Sequence, residues 1–182
     1  TVPAVYQYAE ACGYDHDRIS GIRTVWQEAK DLTLRQQLEY RESYQATNAL
    51  KKAFAGFCNQ VMELVEAGRI LFREDDQRMA DLNLNGRRAE SYAGFVDQHL
   101  PFLNGVLQDP EALATYVRHG YPAELFTEAL DNVDDVRRLM AVRENESGEA
   151  QQLTVLRDAK LQEVDREVQT MVGLIRLRAR DD

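Results

Sequence analysis

The sequence matches itself at an offset of 107 residues, and this repetition is the strongest constraint on its fold. Aligned without gaps to residues 108–182, residues 1–75 are identical at 13 positions, whereas composition alone predicts roughly 5. The identical pairs are Pro3/Pro110, Gly13/Gly120, Tyr14/Tyr121, Leu32/Leu139, Glu39/Glu146, Glu42/Glu149, Gln45/Gln152, Thr47/Thr154, Val61/Val168, Val65/Val172, Arg69/Arg176, Arg73/Arg180 and Asp75/Asp182. An internal repeat constrains the whole architecture, so the sequence predicts two copies of one unit.

Each copy has the pattern of two helices joined by a glycine turn. The chain has only four prolines and no run of β-branched residues alternating with polar ones, so no strand is indicated. A proline in the first turn predicts short helices over 3–12 and 110–119, and Gly13 and Gly120 suit the left-handed position after a helix. The predicted fold class is all-α: an elongated antiparallel helical bundle of two duplicated units (short helix, Gly-Tyr turn, long helix) with a linking helix.

The long helices are expected to begin near Asp15 and at Pro122. Asn85-Gly86 predicts the end of the first one, with Gly86 in the left-handed position. A linking helix is expected from Arg88 to Leu107, kinked or split at Pro101. The predicted domains are a first helical repeat over 1–82, a linking helix over 83–109 and a second helical repeat over 110–182. Gly148 has no turn residue opposite it in the first copy, which predicts that the second long helix continues through it.

Apolar residues recur at a spacing of three and four along both long helices, which predicts an antiparallel seam. In the first copy the seam begins with Ile19, Ile22, Trp26, Ala29, Thr33, Tyr40, Tyr44 and Thr47. Contacting residue numbers are expected to sum to about 197, which places Trp26 near Met171 and Phe57 near Met140. The end with Ile19, Ile22 and Trp26 lacks a counterpart of the linking helix. Either the chain is a fragment or mature form of a longer protein, or this end uses another partner. We expect this end to be the less well covered one, and self-association there would cover the exposed apolar patch.

Charge and composition exclude several classes of function. The net charge is -9, and the basic residues are scattered among acids, which disfavours nucleic-acid binding. No apolar stretch approaches the ~18–20 residues of a membrane span. Cys12 and Cys58 are expected far apart on the helices and are interpreted as free thiols, which favours the cytoplasm; a removed signal peptide remains an alternative.

No motif in the sequence predicts a catalytic, cofactor-binding or metal-binding residue. The histidines, at positions 16, 99 and 119, lack the Glu-x-x-His spacing of a di-metal bundle. Cys12 and His16 have no second pair to complete a zinc site. The acidic stretches 74–76 and 131–135 lack the spacing of a calcium loop. The serines have no surrounding nucleophile motif, and there is no phosphate-binding glycine loop.

The stretch from Leu84 to Arg180 resembles a group of uncharacterised bacterial all-helical proteins. The resemblance rests on Leu84-Asn85-Gly86, the aromatic-bearing linking helix, Gly120-Tyr121, Thr154 followed by Arg157-Asp158-Ala159, and Ile175-Arg176. It implies an all-helical fold for about half of the chain, and for the first half through the repeat. It implies no activity or cofactor.

The sequence therefore predicts a non-enzymatic helical scaffold or protein-interaction protein, with a protein partner or self-association. The alternative is a protein that binds a small apolar ligand between the linking helix and the long helices. A pocket lined by Tyr92, Phe95, Tyr116 and Phe126 would favour the ligand. A solid core with an apolar patch at one end would favour the protein partner.

Overall fold

A computed structural model describes residues 2–180, so the outermost residues of the two predicted repeats lie outside the described range. Over this range the chain is all-α and has no strand, which confirms the prediction of an all-α fold. The helices are α1 (Val2–Ala11), α2 (His16–Leu71), α3 (Asp76–Asp81), α4 (Tyr92–Gln108), α5 (Pro110–Arg118) and α6 (Ala123–Arg178). The long helices α2 and α6 pack against each other.

The two halves of the chain have helices at matching positions. Both α2 and α6 have 56 residues, and their bounds lie 107 positions apart, the same offset as the sequence match. The turns before them match as well, because Gly13 and Gly120 have φ angles of 80° and 90°, a region that glycine enters without strain. Helix α6 continues through Gly148, as predicted. Descent from a tandem duplication stays a prediction.

The first long helix ends earlier than the sequence predicted. It stops at Leu71, and Asp75 then begins α3 by accepting a hydrogen bond from the Arg78 backbone N–H at 2.9 Å. The left-handed residue after α3 is Asn83, with φ of 52°, and not Gly86. The prediction followed the strongest local stop signal, but the side chain of Phe72 is buried in the core, so the chain turns away from the helix axis at that point.

The linking helix α4 begins at Tyr92 and not at Arg88. Residues 82–91 form an irregular segment whose carbonyl groups are bonded by side chains from neighbouring helices. Arg69 donates hydrogen bonds to the carbonyls of Leu84 and Gly86 at 2.7 and 3.2 Å. Ser91 then caps α4 by accepting from a backbone N–H, and the helix continues through Pro101 without the predicted split.

The described chain forms two compact units. Unit 1 comprises residues 2–43 and 145–180, and unit 2 comprises residues 44–144. Unit 2 contains a continuous hydrophobic core built from α2, α3, α4, α5 and α6 and the segments between them. The largest fully buried side chains of that core are Phe57, Phe95, Phe102, Tyr116, Phe126, Leu50, Leu84, Leu103, Val61, Val96 and Val106.

Unit 1 has little core. Its fully buried hydrophobic residues are Ala9, Tyr14, Ala29 and Ala150, so the structure agrees with the expectation that the end with Ile19, Ile22 and Trp26 is poorly covered. Because most of these side chains are small, their burial removes little apolar surface from water and stabilises unit 1 less than the aromatic core stabilises unit 2.

Within unit 1 the long helices are antiparallel, but the predicted register is wrong. Arg18 pairs with Glu167 at 2.9 Å, and Glu28 pairs with Lys160 at 2.8 Å. Gln36 is bonded to both Thr154 and Arg157, and Tyr40 to Thr154. In each of these pairs across the seam, the two residue numbers add up to a value between 185 and 194. The predicted sum near 197 came from centring the antiparallel helices near residues 45 and 152, and the observed bonds lie several residues away from that register.

Candidate functional site

The seam between α2 and α6 in unit 1 contains a buried polar residue, Gln36, besides the buried Ala29 and Ala150. The Gln36 side chain is only 4% exposed. Its amide N–H donates to the Thr154 hydroxyl, and its amide oxygen accepts from the Arg157 guanidinium. Arg157 also pairs with Asp158 at 2.6 Å. Each of these polar groups has a partner, so the network satisfies its desolvated donors and acceptors.

Acidic residues surround the next turn of the same seam. One carboxylate oxygen from each of Glu39, Glu42 and Glu146 lies within 4.8 Å of the others, a spacing that could share a cation. The Oε2 atom of Glu39 is buried without a hydrogen-bond partner. Burial raises the pKa of the Glu39 carboxyl, and the charges of Glu42, Glu149 and Glu146 raise it further.

The sequence offered one signal for this acidic group. Glu39/Glu146 and Glu42/Glu149 are two of the identical pairs in the repeat, and in the structure the charges of the other three carboxylates raise the pKa of Glu39. Corresponding residues of two copies come together where the copies cross, so this gathering is what the predicted duplication would produce. The sequence did not reveal it, because the predicted register placed the crossing several residues away.

Large hydrophobic side chains are exposed mainly in unit 1. Leu34 and Leu38 of α2 are 55% and 53% exposed, and Val155 and Leu156 of α6 are 64% and 56% exposed. The other exposed large hydrophobic residues of this unit are Val5, Tyr6, Trp26, Tyr40, Leu161, Val168, Leu174 and Leu177. In the much more apolar unit 2, only Tyr44, Ile70, Val117 and Val142 are exposed to this degree among the described residues.

The exposed leucines lie on the outer face of α2, opposite the seam. A helix turns 100° per residue, so Leu34 and Leu38 lie on the opposite side of α2 from the buried Gln36. On α6, Gly148, Gln151, Gln152, Val155 and Leu156 line an open groove of about 480 Å³. The arrangement of a soluble helix is therefore inverted at this level: polar groups lie in the seam, and leucine and valine side chains face outward.

Several predicted seam residues lie outside the seam. Trp26, Tyr40 and Tyr44 are exposed, and Val25 and Leu32 are half-buried beside Ala29 instead. Two helices without a third layer approach closely through small residues. Bulky aromatic rings are therefore displaced to the flanks, where Tyr40 is 3.4 Å from the Thr154 hydroxyl and Lys30 lies over the Trp26 ring.

The cysteines and histidines do not form a site. Cys12 and Cys58 are free thiols, as predicted. His16 and His119 are exposed at helix ends, and His99 is buried in unit 2 with its Nδ1 2.8 Å from the Phe95 carbonyl oxygen. Burial lowers the pKa of His99.

The aromatic residues expected to line a ligand pocket are packed together in unit 2. Phe95, Tyr116 and Phe126 are fully buried, and the Tyr116 and Phe126 rings lie 4.9 Å apart, edge to face. The Tyr116 hydroxyl donates to the Leu64 carbonyl at 2.9 Å. Burial in this core strongly raises the pKa of the Tyr116 phenol. These side chains form the core and fill the space that the ligand would need.

Comparisons with protein-family models, with curated proteins and with solved structures each found no match. Among the described residues, no helix combines the length and the apolar character that a membrane crossing requires.

Proposed function

We propose that this protein is a non-enzymatic helical scaffold that binds protein through unit 1. In this proposal unit 2, with its aromatic core, is the stable part of the chain. The outer faces of α2 and α6 in unit 1 are the binding surface.

The proposal depends on the inverted polarity of unit 1 at the level of Gln36 and Glu39. A long helix in water places its apolar side chains in the seam and its polar ones outside. Here Gln36 and Glu39 lie in the seam while Leu34 and Leu38 face outward. Exposed apolar patches rimmed by charges mark protein-interaction surfaces. The exposed side chains of Trp26 and Tyr40 lie at the flanks of this surface, and tryptophan and tyrosine are among the types that supply most binding energy at protein interfaces.

The ligand-binding alternative has less support. It requires space among Tyr92, Phe95, Tyr116 and Phe126, and three of these side chains have no exposed surface. The cytoplasmic location and the relation to uncharacterised bacterial helical proteins remain predictions from the sequence.

Site-specific photo-crosslinking in cells that make the chain would test the proposal. A photoreactive amino acid at Leu38 of unit 1 is compared with one at Ile70 of unit 2, whose side chain is 69% exposed. We expect discrete covalent protein adducts from position 38 and none from position 70, because exposure is similar and only the surface differs. Equal labelling from both positions, or no adduct from position 38, would contradict the proposal.

A further inference from the structure

We propose that unit 1 is a pH-sensitive switch: its α2–α6 seam is closed while the Glu39 carboxyl is protonated and opens when that carboxyl ionises, while unit 2 stays folded. This inference concerns regulation and does not depend on the proposed function. Three features of the described chain support it: the surroundings of Glu39, the lack of a cation that balances its charge, and the small core of unit 1.

The Glu39 carboxyl lies where its ionised form is unfavourable. The residue is half-buried, and its Oε2 atom is buried without a hydrogen-bond partner. Burying a carboxylate without a donor or a cation is costly, whereas a protonated carboxyl loses less on burial. One carboxylate oxygen from each of Glu39, Glu42 and Glu146 lies within 4.8 Å of the others. Ionised carboxylates at such distances repel one another, and a proton on Glu39 removes its share of that repulsion.

The charged groups that face Glu39 are all acidic. They are Glu42 on its own helix and Glu146 and Glu149 on α6. Burial and these three like charges raise the pKa of the Glu39 carboxyl. The closed seam therefore binds the proton of Glu39 more tightly than an open seam would.

The cations of unit 1 do not offset these charges among the described residues. Across the seam, Arg18 pairs with Glu167 and Lys160 pairs with Glu28. The cations nearest to Glu39 along the two helices are the exposed arginines at positions 35, 41 and 143, which pair with none of the four glutamates, and Arg157, which is bonded to Gln36 and Asp158. Protonation is then the means by which the closed seam can reduce the charge on Glu39.

Unit 1 has little else that opposes opening. Its fully buried hydrophobic residues are three alanines and Tyr14, and its ion pairs join partly exposed side chains, which contribute little to stability. Unit 2 has a continuous aromatic core. Regions with few buried apolar contacts open locally while better-packed regions stay folded. The charge state of one carboxyl is therefore expected to shift unit 1 and to leave unit 2 closed.

The direction of the response follows from the raised pKa of Glu39. A group whose pKa is raised in the closed form stabilises that form fully below the ordinary pKa of a glutamate. That stabilisation is lost as the pH rises through the pKa of the closed form. The open population of unit 1 therefore increases with pH.

Urea unfolding followed by two signals tests the switch. The only tryptophan of the chain, Trp26, lies in unit 1, so its fluorescence follows that unit, whereas circular dichroism at 222 nm follows all helices. We expect the Trp26 signal to change at a lower urea concentration than the main loss of circular dichroism. We also expect the Trp26 midpoint to fall as the pH rises from about 5.5 to 8, a range in which ordinary carboxyl groups are already ionised. A Trp26 midpoint that coincides with the main transition, or that does not change with pH, overturns the proposal.

Paired variants identify the group responsible. Glu39→Gln combined with Glu146→Gln should abolish the pH shift of the Trp26 midpoint, because neither amide titrates. The matched control, Glu10→Gln combined with Asp31→Asn, removes two exposed carboxyl groups of unit 1 and should keep the shift. The histidines are present in every variant, so their contribution is common to all. All variants should keep the main transition of unit 2, which shows that the chain has folded.

Reversing one charge gives a sharper test. Glu146→Lys places a cation beside Glu39, which stabilises the ionised carboxyl in the closed seam. In this variant the Trp26 midpoint should no longer fall as the pH rises. If Glu146→Lys keeps the wild-type shift, or if the paired glutamine variant shifts as much as its control does, Glu39 does not operate the seam and the inference is wrong.

Discussion

Replacing Gly68 by alanine tests whether the core of unit 2 is as tightly packed as the structure indicates. Gly68 is buried in α2. A Cβ added there would overlap the Tyr116 hydroxyl and come within 3.1 Å of the Leu84 side chain. Tyr116 has no exposed surface and donates its hydroxyl proton to the Leu64 carbonyl. An alanine methyl group at position 68 must therefore displace a buried ring and break its hydrogen bond.

Three effects determine the size of the change. Alanine favours the helix over glycine by about 1 kcal/mol. Overpacking costs about 1–3 kcal/mol, and leaving the buried hydroxyl without a partner costs about 1–3 kcal/mol more. We expect Gly68→Ala to lower the free energy of unfolding by about 1–5 kcal/mol, because the packing and hydrogen-bond costs exceed the helix gain.

Gly56 provides a matched control on the same helix and in the same unit. A Cβ there would meet nothing within 4 Å, so Gly56→Ala should stabilise the chain by up to about 1 kcal/mol. Urea unfolding followed by circular dichroism at 222 nm measures both variants. Adding Tyr116→Phe to Gly68→Ala removes the clashing oxygen and should recover much of the loss. If Gly68→Ala stabilised the chain as much as Gly56→Ala does, the packing argument would be refuted.

Two further predictions concern the seam of unit 1. Glu39→Gln should remove a pH dependence of the free energy of unfolding. The pKa of the Glu39 carboxyl is raised in the folded chain. The protonated carboxyl therefore contributes fully to stability below the ordinary pKa of 4.5, and this contribution is lost as the pH rises through the folded-state pKa. Thermal unfolding from pH 4 to 8 measures this, with the exposed Glu10→Gln as control; the same pH dependence in both variants would contradict it. Gln36→Ala should lower the free energy of unfolding by about 1–3 kcal/mol, since it leaves Arg157 without a buried partner, whereas the exposed Gln37→Ala should change it little. An equal effect of the two changes in urea unfolding would show that the Gln36 network does not matter.

Local signals in the sequence were sufficient for every helix except α3 and for most helix ends. Glycine adopts positive φ without cost, so Gly13 and Gly120 marked turns that the structure contains. The 3/4 spacing identified the long helices because a helix repeats every 3.6 residues. The side of α4 that is buried followed from the same spacing, and Phe95 and Phe102 lie in the core as expected.

The candidate site could not be derived in the same way. Its residues come from positions more than 100 apart, such as Gln36 and Thr154, and the register between them depends on packing along the whole seam. We centred that register near residues 45 and 152, which correspond to each other in the repeat. The aromatic side chains of Trp26 and Tyr40 in unit 1 were expected in the seam but are exposed, and the small or polar side chains of Ala29 and Gln36 are buried instead.

Residues close together in the chain determined that it is helical and where the glycine turns lie, because backbone preferences and side-chain periodicity act over a few residues. The scattered basic residues that disfavour nucleic-acid binding were also visible in the sequence. The end of α2 at Leu71, the pairing of the long helices and the outward position of Leu34 and Leu38 depend on distant side chains. Those outcomes are set by how much surface each packing removes from water, a quantity that exists only after the helices have come together.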